Sequence, residues 1–67
     1  MEEKSIGYNI KQLRKSLNLT QEEFSKKLNV SRSCVNHWEN DETVPNAYMI
    51  KSIKNAFNCS YDEILDG

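Results

Sequence analysis

Residues 20–40, Thr-Gln-Glu-Glu-Phe-Ser-Lys-Lys-Leu-Asn-Val-Ser-Arg-Ser-Cys-Val-Asn-His-Trp-Glu-Asn, constrain this chain more than any other stretch. They read as two short helices joined by a tight turn. Thr20 followed three residues later by Glu23 is a capping box, in which hydroxyl and carboxylate satisfy two otherwise orphaned backbone N–H groups. Phe24 and Leu28, four apart, give that helix its apolar face. Asn29 tolerates left-handed backbone angles and so can end it. Ser31 can then cap the second helix after only two or three turn residues.

That is the helix-turn-helix layout, and the second helix decides how to read it. At about 100° per residue, Arg32, Ser33, Asn36, His37 and Asn40 fall within about 140° of one another. Cys34, Val35, Trp38 and Glu39 take the other side. One face is apolar; the other is rich in hydrogen-bond donors and free of carboxylates. In a chain with ten acidic residues, an ordinary solvated helix is expected to mix signs. An acid-free donor face suits phosphate oxygens and the acceptor edges of purines in the major groove. It reads as a recognition helix for double-stranded DNA.

The residues on that face carry different chemistry. The Arg32 fork matches the O6/N7 pair of guanine, the alternative being a purely phosphate contact. Asn36 matches adenine N6/N7, and Ser33 suits a base or a phosphate. His37 is open between a donor to a base acceptor, a neighbour of a thymine methyl, and a solvated residue. Trp38, with Val30 and Val35, belongs to the core side rather than to a ligand platform.

The flanks fill out a bundle. Residues 1–5 are polar and expected to fray. Ile6, Ile10, Leu13 and Leu17 recur at four, three and four, one face of a helix that Ser5 can cap and Asn18-Leu19 breaks. Lys11 and Lys15 read as a solvated face. The first turn after Thr20 leaves backbone donors that suit an anion, with Gln21 beside them. Glu22-Glu23 and Lys26-Lys27 complement the two ends of that helix's dipole. Asn46 after Pro45 caps a further helix carrying Met49, Ile50, Ile53, Ala56 and Phe57. Asn58 stands where a helix-ending glycine is usual. Ser60 with Glu63 is a second capping box, opening a short last helix with Tyr61, Ile64 and Leu65. Nothing alternates as a strand does. The expectation is an all-α fold, a compact bundle of five short helices forming one domain over residues 1–67.

The run Leu13-Arg14-Lys15, Leu19 to Phe24, Leu28 to Ser33, Val35, Trp38-Glu39-Asn40 and Pro45 resembles the lambda-repressor-like (XRE/Cro-type) helix-turn-helix family. The tail, Ile50, Ile53 and Ala56 to Leu65, resembles it too. The match covers about residues 6–66, as spacings across five elements rather than one motif. The resemblance implies the lambda-repressor-like DNA-binding domain, with the pair of helices above as its helix-turn-helix. It implies that Arg14 forms a partly buried ion pair with Glu39, its guanidinium also able to reach a phosphate. It implies phosphate contacts from Gln21, with Lys27, Ser31, Asn40 and Thr43 as further backbone-facing residues. It implies a homodimer on an inverted repeat, two half-sites one helical turn apart, paired through Phe57, Tyr61 and Leu65. The chain departs from the family at Asp41-Glu42, where Gly-Lys or Gly-Arg is common. That change is expected to set two negative charges beside the DNA path.

Composition limits the alternatives. The net charge of −1 does not announce a nucleic-acid binder. Its distribution counts for more: Lys4 to Lys15 holds four basic residues and no acid. A single module covers only about 600–1,000 Å² of DNA, which is why two-fold pairing is expected. The lone histidine has no evident orienting partner and there is no glycine-rich phosphate loop, so no enzyme, catalytic residue or cofactor is expected. Cys34 and His37 at i, i+3 make two ligands, which is not a metal site. Cys34 and Cys59 are expected to be reduced thiols, and a redox role at Cys34 would need a lowered pKa. No apolar run spans a membrane and no small-molecule pocket is suggested. A cytoplasmic transcriptional regulator, most simply a repressor, is the first expectation. The second is an antitoxin-like or accessory protein-interaction module of the same fold. Asp66-Gly67 is where such a domain would pass into the linker of a longer regulator.

Overall fold

The computed structural model describes residues 5–66. The fraying expected at the N-terminus and the linker expected from Gly67 therefore lie outside the described residues, Ser5 and Asp66 apart. Within the described residues five helices follow one another, α1 (Ile6–Ser16), α2 (Gln21–Leu28), α3 (Arg32–Glu39), α4 (Ala47–Phe57) and α5 (Tyr61–Leu65). Among the described residues there is no strand, so the fold is all-α. Nor, among these residues, is any helix long and apolar enough to cross a membrane.

Each helix starts on a short polar side chain. Ser5 accepts from the Tyr8 N–H, Thr20 from Glu23, Ser31 from Cys34, Asn46 from Met49 and Ser60 from Glu63. At α2 the box closes, because the Thr20 N–H also donates to Glu23 Oε1 at 2.8 Å. At α5 only the forward bond forms, 3.2 Å from the Glu63 N–H to Ser60 Oγ. The second capping box is thus a single cap.

Four of the helices also end alike. Asn18, Asn29, Asp41 and Asn58 hold φ of 58, 62, 59 and 52°. In each case the next N–H reaches back five residues: Leu19 to Arg14, Val30 to Ser25, Glu42 to His37 and Cys59 to Lys54, at 2.9–3.2 Å. This is the Schellman arrangement with Asn or Asp in place of glycine, tolerated because these side chains suffer least in left-handed backbone. Its companion is a contact between the residue after the left-handed one and the helix's last turn. Leu19, Val30 and Cys59 follow that rule, half-buried against the core. Glu42 is the exception: it is polar and exposed.

The core is Ile10, Phe24, Leu28, Val35, Trp38, Ile53 and Ile64, one cluster fed by all five helices. Phe24 stacks on Phe57 with centroids 4.4 Å apart, joining α2 to α4. Asn9 is 4% exposed and donates Nδ2 to the Ile64 carbonyl at 2.9 Å, tying α1 to α5. Gly7 lies where α1 meets the end of α3, and a Cβ there would collide with the Trp38 carbonyl oxygen and the Asp41 carboxylate. Two expected core positions differ. Leu17 falls just past the end of α1 and is 40% exposed, and Ala56 faces solvent.

Candidate nucleic-acid interface

The amphipathic division of α3 is realised side chain by side chain. Val35 and Trp38 are buried and Cys34 and Glu39 half-buried, whereas Arg32, Ser33, Asn36, His37 and Asn40 are exposed. None of the exposed five carries a negative charge.

What holds this face in place is polar. Arg14 Nε donates to Glu39 Oε2 at 2.7 Å and a terminal nitrogen donates to Oε1 at 3.1 Å, a bidentate pair across α1 and α3. The remaining terminal nitrogen donates to the Leu19 carbonyl at 2.8 Å. The side chains are 13% and 3% exposed, so the charges face each other largely out of water. The hydrogen bond to Glu39 holds the Arg14 pKa above its already high ordinary value. The guanidinium is turned inward and does not lie on the α3 face.

Gln21 extends the network. Its Nε2 donates to Glu39 Oε1 and to Asn36 Oδ1, both at 3.2 Å. The resemblance implies a phosphate contact for this side chain; in the structure it lies over the ion pair, because Glu39 offers an otherwise half-used carboxylate. Asn36 is thereby held by its oxygen, leaving its amide N–H groups free to donate. Lys27, Asn40 and Thr43 are exposed, and Ser31 is exposed while its Oγ caps α3.

The loop after α3 corrects an expectation. Asp41 does not extend beside the α3 face: its Oδ2 accepts from Ser5 Oγ at 2.9 Å and its carboxylate lies over Gly7. There it meets the positive end of the α1 dipole. Glu42 does stay near the face, with Oε1 3.3 Å from His37 Nδ1. His37 therefore has the partner that the sequence reading did not find. A left-handed Asp41 was the missing signal, since it brings residues five apart together.

The residues expected to pair two protomers are not alike. Phe57 turns inward onto Phe24, while Tyr61 and Leu65 are 42% and 45% exposed, with Tyr8 at 42%. Lys54 Nζ lies 5.4 Å from the Tyr61 ring centroid. Among the described residues no three His, Cys, Asp or Glu side chains group as metal ligands. Burial pushes the Cys59 thiol up, with Glu63 adding to it.

Comparison with known proteins supplies the frame for this geometry. A family model described as Helix-turn-helix matches residues 10–64. The transcriptional activator BcrR of Enterococcus faecalis is 40% identical over 58 residues, 87% of this chain and 28% of BcrR. The antitoxin PezA of Streptococcus pneumoniae is 40% identical over 60 residues, 90% of this chain and 38% of PezA. The chain thus spans less than half the length of either curated relative. The P22 c2 repressor, solved in complex with a synthetic operator, superposes with a TM-score of 0.84 at 33% identity, covering 94% of this chain and 96% of the repressor's.

Proposed function

The chain belongs to the lambda-repressor-like helix-turn-helix family, and from that premise we propose that it is a sequence-specific DNA-binding regulator of transcription. It lays α3 in the major groove of an inverted-repeat operator, binds as a homodimer and acts as a repressor. The observation that carries this reading is the exposed, acid-free face of α3, locked to α1 by the partly buried Arg14–Glu39 pair. A face with no packing duty that is nonetheless rigidly mounted suits recognition. The likeness to the P22 c2 repressor, solved in complex with a synthetic operator, supports DNA as the partner.

Roles follow from position. Arg32, Ser33, Asn36 and His37 read base edges, and Lys27, Ser31, Asn40 and Thr43 meet phosphates. Gln21, whose two amide hydrogens are both engaged within the fold, reaches a phosphate only by giving up one of those bonds. Arg14 stiffens the frame and contacts a phosphate at most from its edge. Tyr61 and Leu65, with Phe57 behind them, form the pairing surface. The likeness to PezA supports a second reading, an antitoxin-like module whose main partner is a protein.

Selection from random duplexes at low and moderate salt separates the two. The regulator reading expects an enriched inverted repeat. It further expects Arg32→Ala to relax one position per half-site and Lys27→Ala to lower affinity uniformly. No enrichment at any salt removes that reading and leaves the protein-partner one.

A further inference from the structure

Three helix ends in this protein fold an apolar residue back against the core; the end of α3 uses a carboxylate instead. Glu42 occupies the position held by Leu19, Val30 and Cys59 at the other ends. Its N–H donates to the His37 carbonyl at 2.9 Å, and the Thr43 N–H follows at 3.4 Å. The backbone thus delivers the Glu42 side chain to the residue five before it, and Oε1 comes to 3.3 Å from His37 Nδ1. Asp41 anchors the loop from the other side through Ser5. The contact follows from how the helix ends.

We infer that Glu42 sets the tautomer of His37 and through it the base that His37 reads. This rests on α3 being the DNA-reading helix. In a neutral imidazole one nitrogen donates and the other accepts, and the neighbour of one decides the role of the other. A lone pair on Nδ1 would face the carboxylate oxygen, so the proton sits on Nδ1 and Nε2 carries the lone pair. Exposed to water, such a contact adds little stability. Choosing between two tautomers of similar energy needs little.

The consequence is specific to this face. Arg32 only donates, and Asn36 has its oxygen engaged by Gln21 and its N–H groups outward. Apart from the Ser33 hydroxyl and the Asn40 amide oxygen, Nε2 of His37 is the acceptor of the reading face. It therefore pairs with an exocyclic amine, adenine N6 or cytosine N4, and disfavours guanine O6/N7 and thymine O4. Glu42 is a positioning residue that needs no contact with DNA.

The test uses the fact that His37 is the single histidine. Nitrogen-15 spectra of the free protein, at a pH where the ring is neutral, report its tautomer without assignment. Wild type is expected to be Nδ1-protonated, Glu42→Ala to lose that bias, and Glu42→Lys to invert it by setting a donor against Nδ1. In random-duplex selection, one position per half-site should change from adenine or cytosine in wild type to guanine or thymine in Glu42→Lys. The expected shift in relative affinity is about fivefold or more, with the remaining positions unchanged. An Nε2-protonated wild type, or a tautomer indifferent to residue 42, overturns the inference whether or not DNA binds. The expected tautomers with no base change at any position overturn its second half. Expected tautomers with no enriched duplex instead strike the DNA reading beneath it, so the two failures are distinguishable.

Discussion

The two sides of α3 are built on opposite rules. Inward, Val35 at 0% and Trp38 at 3% exposure pack among other helices, and Glu39 is clasped by Arg14 and Gln21. Outward, Arg32, Ser33 and His37 are exposed, with the His37 side chain meeting only the exposed Glu42. The inner side sets where the helix lies, so changes there alter stability. The outer side carries no such duty and can be rewritten for a new sequence while the frame stands. Asn36 crosses the divide, since Gln21 ties it to the inner network.

The ion pair offers the hardest blow to this division. Arg14→Ala and Glu39→Ala should each cost about 2–4 kcal/mol in urea unfolding, because each strands a largely buried partner. The double variant should cost little more than either single change. Additive losses would mean the pair does not act as one unit. Next comes Gly7→Ala, which sets a methyl against the Trp38 carbonyl and Asp41. It should cost about 1–3 kcal/mol, the scale of overpacking, and Asp41→Ala should recover only the part owed to the carboxylate. Thermal unfolding resolves that remainder.

On the outer face the signature reverses. Arg32→Ala should leave stability within about 0.5 kcal/mol of wild type while weakening discrimination at one base pair by about 1–3 kcal/mol. A large loss of stability would show that the outer face supports the fold after all. The smallest effect expected is at the start of α2. The Thr20 backbone N–H holds the Glu23 carboxyl below its ordinary value of 4.5. A lowered carboxyl pKa stabilises the fold fully above the ordinary value, and that contribution is lost as pH falls through the lowered one. Glu23→Gln should therefore lower stability slightly at neutral pH and converge with wild type on the acid side of pH 4.5, which unfolding measured across pH would check.

The chain by itself determined whatever depends on neighbours a turn apart. Caps at Ser5, Thr20, Ser31, Asn46 and Ser60 act on an N–H three residues ahead, the left-handed Asn29 and Asn58 act where they stand, and apolar spacing selects the buried stripe. The split of α3 was legible for the same reason. Tertiary structure alone decided what happens between distant segments. Asp41 meets Ser5 across 36 residues and Gln21 meets Glu39 across 18, and no local pattern encodes either meeting. An outward-looking glutamine turned inward, and one acid of the loop was drawn to the start of α1. Such side chains go wherever packing brings an unsatisfied partner within about 3 Å, and only the assembled bundle specifies that.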